Sequence, residues 1–360
     1  MFKSIMNKFS FCIYFVLYFH STSISAVVIE DLYTINVQQS LDICGTGSEE
    51  EQSTYGEGMV QLLSRITGFN SDYIFANPDL VRLIEGAERF VFLCGPRLNE
   101  NELSIGFNDG LLESELAILN IPRWGKERPV TLLWLAIDTG EGELGILSSK
   151  TSDLPITNNF KNFQQKLYDE IKYFSNIMAL PVILPLLDLQ DISFIIPDDI
   201  IKGRVSKIED ASDRYYANYI LYANGYISEY GRLEAHWSIL RQGNKINFGY
   251  GTLEYALNQL SLYYANEFKI EGDVSDLKVT ILGIDSLDDY ANTIRHFESL
   301  SLLEEVEPIE VNNGSLILQV KARGDQDLLD NILGLDSFLV KSNENTENSG
   351  IDGLFFRLKK

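Results

Sequence analysis

Two carboxylates three positions apart are a natural place to look for acid–base chemistry, and Asp188 and Asp191 offer such a pair at the end of the apolar run 180–187. To work as an acid, one member would need a raised pKa while the other stayed ionised. Asp198 and Asp199 follow closely, so a divalent cation could be held by carboxylates here, but the spacing of a calcium loop is absent. The structural alternative is that Asp188 caps a helix and Leu189 is buried. Other nucleophiles and bases are scarce. Ser48 lies in a glycine-rich setting beside Glu49, Glu50 and Glu51, and no G-x-S-x-G elbow occurs. His236 is expected on a strand with Glu234 and Ser238 on its face and Leu233, Ala235, Trp237 and Ile239 on the other. Glu234 and His236 could start a metal site but have no third ligand nearby, so a half-exposed sheet face is expected. His296, beside Arg295 on the polar face of a helix, is expected in solvent.

Phosphate chemistry fares no better. Gly45-x-Gly47 lacks a third glycine and is followed by acidic residues where a phosphate would sit, and Gly56-x-Gly58 reads as a turn into a helix. The basic cluster Arg123, Lys126 and Arg128, with Trp124, could hold a partner's carboxylates, or be a hinge with solvated charges. Cys44 and Cys94 could pair if the chain is exported, or remain two separate buried thiols. No catalytic residue, metal site or cofactor is expected from these residues.

The elements that would position them define an α+β chain. The 360 residues are 45% hydrophobic, enough for several compact modules, and 52 acidic against 29 basic side chains give a charge of −23. Such a field repels phosphate, so nucleic acid is not an expected partner. Lys3 and Lys8, the apolar run 9–19 and the small polar stretch 20–26 read as a signal peptide, 1–26, cleaved after Ser25 or Ala26, and the run is too short to span a bilayer. No later run is long enough either, so no membrane span is expected in the mature chain.

An N-terminal α+β module, 27–122, is expected with strands near 31–38, 90–94 and 103–107 and helices at 57–67, 78–83 and 110–119. Two prolines and a glycine in 121–129 mark its end. In the middle α/β module, 123–272, the nearly unbroken apolar run 130–138 predicts a strand buried on both faces, with helices on either side of its sheet. A helix is read at 160–175, another at 208–217, antiparallel strands at 219–227, 232–240 and 246–250, and a last helix capped by Thr252. The segment 273–341 has the order βαββαβ of a ferredoxin-like module, with Ser286 as an N-cap. The remainder, 342–360, is a polar loop and a possible edge strand at 354–358.

The ordered set 121–138 (IPRWGKERPVTLLWLAID), 180–191 (LPVILPLLDLQD), 215–226 (YYANYILYANGY), 234–240 (EAHWSIL) and 253–268 (LEYALNQLSLYYANEF) resembles the family catalogued as domain of unknown function 2066. The run 277–284 (LKVTILGI) and the helix 291–300 (ANTIRHFESL) are similar to that family's C-terminal part. The resemblance covers nearly the whole mature chain; its departures are the loops 45–54 and 342–350 and the two cysteines. It implies an exported, periplasmic protein of Gram-negative bacteria and brings no catalytic residues with it.

Two readings of function follow. One is a non-catalytic envelope interaction or assembly factor whose partner is another envelope protein, with Asp188, Asp191, Arg123, Trp124, Lys126 and Arg128 as the candidate surface. The alternative is a periplasmic hydrolase or transferase working through Asp188 and Asp191.

Overall fold

The computed structural model describes residues 27–39, 43–96, 102–138, 144–149, 158–335, 338–342 and 353–359. The expected signal segment and most of the polar loop 342–350 lie outside the described residues. The chain is α+β, and among the described residues no helix is long and apolar enough to cross a membrane.

In the N-terminal part, Thr34–Val37, Leu103–Phe107 and Val91–Pro96 form an antiparallel sheet in that order. Helix Glu49–Thr67 buries Met59, Leu62, Leu63 and Ile66 in one apolar cluster with Ile35, Ile105 and Phe107 of the sheet. It begins eight residues before the expected start, because Ser48 caps it by accepting a hydrogen bond from the Glu51 amide and three glutamates favour its positive end. Gly56 and Gly58 are therefore helical and not a turn; a Cβ on Gly58 would press on Phe107 at 3.3 Å, so the glycine admits the close contact between helix and sheet.

Among the described residues the middle sheet has six strands, in the order Asn244–Gly251, Leu233–Arg241, Tyr219–Ile227, Thr131–Asp138 and Leu144–Ile146, with Val182–Ile183 also pairing with Thr131–Asp138. Thr131–Asp138 runs parallel to Tyr219–Ile227 and to Val182–Ile183, and the other pairings are antiparallel. Every residue of Thr131–Asp138 except Asp138 is buried, as its unbroken apolar character requires. Leu133, Leu135 and Ile137 point into the larger core, shared with helices Asn158–Met178 and Leu253–Glu267. Leu132, Trp134 and Ala136 point into a second core, shared with Ile200 of Pro197–Ile201 and Ile208 of Val205–Ser212. Thr252 caps Leu253–Glu267 as expected.

The C-terminal sheet departs from the ferredoxin-like expectation. Leu303–Asn312, Ser315–Arg323 and Val274–Leu282 adopt the expected order, and Ser286 caps helix Leu287–Glu298 with a capping box. The place beside Val274–Leu282, which a ferredoxin-like fourth strand would occupy, is taken by Leu354–Leu358, running parallel to it. Leu339–Lys341, expected there, lies outside it at the sheet's edge. Leu354, Phe356 and Leu358 bring three large apolar side chains into the core, whereas Val340 is exposed, so the more apolar strand takes the interior place.

Candidate functional site

Asp188 is the N-cap of the short helix Leu189–Phe194, its carboxylate accepting from the Gln190 and Asp191 amides at 3.0 and 3.1 Å. Arg214 reaches across from the turn Asp213–Tyr215 and donates to both oxygens of Asp188, at 2.7 and 3.0 Å, and to Asp191 at 3.1 Å. Asp191 is buried and also accepts from the Leu187 amide at 2.7 Å and the Tyr215 hydroxyl at 2.5 Å. Arg214 and the capping amides hold the Asp188 carboxyl down to about 2, the reverse of what a general acid needs. The pair therefore anchors a loop to a helical turn, as the capping reading had it. Leu189, which that reading buried, is 87% exposed. Asp198 and Asp199 are tied to Arg204, and Asp199 also accepts from the Ile196 amide.

Trp124 and Arg128 of the basic cluster are buried and Arg123 and Lys126 are partly buried in ion pairs, which corrects its assignment to a functional surface and equally to a solvated hinge. Arg123–Trp124 pairs with Lys269–Ile270, and Glu127–Arg128 pairs with Val27–Val28, so this segment stitches the parts of the molecule together. Arg123 donates to Glu113 at 2.8 Å, and Lys126 meets Asp109 at 3.2 Å. Trp124 is buried with the guanidinium of Arg128 stacked 3.3 Å from its ring centroid. Arg128 is wholly buried; it donates to the carbonyls of Arg65 and Trp124 at 3.2 Å, while its Nε and Nη1 meet no acceptor among the described residues. Burial and the neighbouring Arg65 charge push its pKa well down, and burial brings Arg65 down to about 10. Stacking on Trp124 therefore fills this seam at the cost of a desolvated cation whose hydrogen bonds are incomplete.

Cys44 and Cys94 form a disulfide with Cα atoms 5.7 Å apart, resolving the choice that the sequence left open. Next to it, the Gly45-x-Gly47 loop does bind an anion, and the anion is the chain's own. Glu51 accepts from the Gly45 and Gly47 amides at 2.6 and 2.7 Å and from the Tyr55 hydroxyl at 2.5 Å. His296 is half-buried with its ring 4.7 Å from that of Phe338, so it is not the solvated residue expected from its helix alone.

The face of Leu233–Arg241 that carries Glu234 and His236 is as expected, and register adds residues to it. Tyr226 lies opposite Glu234, Asn224 opposite His236, and Tyr250 on the other side of His236. Tyr226 donates to Glu234 at 3.2 Å, Tyr250 also donates to Glu234, the two hydroxyls are 2.6 Å apart, and the His236 ring centroid is 5.0 Å from that of Tyr250. Asp138 ends the neighbouring strand beside Tyr226. Sequence alternation puts each tyrosine on a strand face; only the pairing register brings them to the same carboxylate. Arg214 and Tyr215 were missed for the same reason, being more than twenty residues from the aspartates they hold.

The fold and these residues define an α+β protein with an open, oxygen-rich patch on a mixed sheet and a carboxylate pair committed to structure. No protein-family model matches the chain, and no curated protein or solved structure matches it significantly.

Proposed function

We propose that this chain is an exported, non-catalytic interaction or assembly factor of the bacterial cell envelope, in keeping with the resemblance to the domain of unknown function 2066 family. The observation that carries the reading is the use made of Asp188 and Asp191. Their oxygens are engaged by Arg214, Tyr215 and three backbone amides, and Asp188 is held ionised, so the pair is poorly set up to exchange protons with a substrate. Export is supported by the Cys44–Cys94 disulfide, since such bonds persist in oxidising compartments. The exposed edge strand Asn244–Gly251 supplies backbone groups for association.

The test has two parts. Mature protein from the periplasmic fraction should begin at Ala26 or Val27 by N-terminal sequencing, and it should capture a defined partner from envelope extract without turning over generic hydrolase substrates. Intact Met1 on a cytoplasmic protein would overturn the export reading; turnover abolished by Asp188→Asn would replace the interaction reading with the enzymatic one.

A further inference from the structure

The patch at the end of the middle sheet has an uneven balance of protons and lone pairs. Tyr226, Tyr250 and one oxygen of Glu234 lie together, two phenol protons serving three oxygens. Donation to the Glu234 carboxylate pushes the Tyr250 phenol pKa up, so that phenol stays neutral. The group thus carries one negative charge and a surplus of acceptors facing outwards. Phosphates and carboxylates would bring the wrong sign. A primary ammonium brings one positive charge and a tripod of three donors, whereas a guanidinium is a flat fork suited to a bidentate carboxylate. Both tyrosines are open to solvent, 47% and 44% exposed, so their rings can also face a cation.

Position in the fold points the same way. The patch lies at the carboxyl ends of the parallel strands Thr131–Asp138 and Tyr219–Ile227. From the first, the next strand is its antiparallel neighbour Leu144–Ile146 on one side; from the second, it is its antiparallel neighbour Leu233–Arg241 on the other. In open sheets with helices on both faces, ligands are commonly bound beyond the carboxyl ends of the parallel strands.

We propose that Tyr226, Glu234 and Tyr250 form a binding site for the primary ammonium of a lysine side chain on a partner polypeptide. This rests on the reading of the chain as an interaction factor. Tyr250 belongs to the edge strand Asn244–Gly251, so an extended partner segment pairing with that edge would run past the patch. The chain's charge of −23 favours a basic segment over an acidic one.

Calorimetric titration of the purified chain with a short lysine peptide, its Nε-acetylated form and its arginine counterpart tests the site. The lysine peptide should bind, the acetylated peptide should not, and the arginine peptide should bind less tightly. Glu234→Gln and Tyr250→Phe should each weaken lysine binding about tenfold or more, with melting unchanged, as expected for loss of a hydrogen bond to a charged group. Glu310→Gln, which removes the same charge from the exposed edge of the C-terminal sheet, should leave it unaltered. Equal weakening in Glu310→Gln, unchanged binding in Glu234→Gln, or arginine binding as tight as lysine would overturn the site as a general effect of acidity. Tighter binding of putrescine or of a glucosamine oligomer would overturn the assignment to a polypeptide. These outcomes are independent of the fractionation result, so the site and the envelope reading can fail separately.

Discussion

Replacing Asp191 by alanine should be among the more damaging single changes in the middle sheet's helical layer, and the structure says by how much. The side chain has no exposure and accepts three hydrogen bonds, from Leu187, Tyr215 and Arg214. Arg214 would keep both bonds to Asp188, and the Tyr215 hydroxyl is partly open, so neither becomes a stranded charge or donor. The Leu187 amide, half-buried and held in left-handed backbone conformation at φ 52°, loses the carboxylate it is aimed at. Loss of that acceptor and of the two charge-assisted bonds at a wholly buried carboxylate brings the cost to about 2–4 kcal/mol. Asp188→Ala removes a half-exposed cap and should cost about 1 kcal/mol, while Leu189→Ala, on an exposed side chain, should stay within about 0.5 kcal/mol. Urea unfolding followed by tryptophan fluorescence suits the measurement, because the Trp134 ring lies 6.2 Å from that of Tyr215. The sign with pH also follows. The Asp188 carboxyl titrates at about 2 when folded, below its unfolded value of about 4, so its contribution is present above pH 4 and is lost as pH falls towards 2. An Asp191→Ala variant within 0.5 kcal/mol of the parent, or an Asp188→Ala variant weaker than it, would refute the assignment of Asp191 as the buried anchor.

Arg128→Met should match the stability of the parent within about 1 kcal/mol or exceed it, because an unbranched apolar chain can fill the slot on Trp124 without an incompletely bonded cation, whereas Arg128→Ala leaves a cavity and should cost about 3 kcal/mol; thermal melts of the two side by side check the contrast, and equal losses would show that the charge itself is required. Opening the disulfide, which closes a span of 50 residues, through Cys44→Ser with Cys94→Ser should cost about 2–4 kcal/mol in a urea melt, and an unchanged midpoint would mean that the bridge does not restrain the unfolded chain.

Much of the local architecture is written in the sequence because its causes are local. Ser286 and Thr252 cap the helices they precede, and the unbroken apolar run ending at Asp138 specifies a strand covered on both faces. Even the occupied glycine loop is foreshadowed, since the glutamate that fills it is only six residues from Gly45. Alternation likewise puts Glu234 and His236 on one face of their strand. What joins distant segments is decided by tertiary structure. Period-two patterning does not state which strand lies alongside, so Tyr226, Glu234 and Tyr250 become one patch only through strand register. Leu354–Leu358 takes an interior place that chain order would give to Leu339–Lys341, because burial of its apolar side chains outweighs sequence proximity. The charge of Arg128 would mark it as a surface residue, yet packing between segments distant in sequence buries it on Trp124. That outcome depends on the volume to be filled at the seam, a property of the assembled chain that no single segment carries.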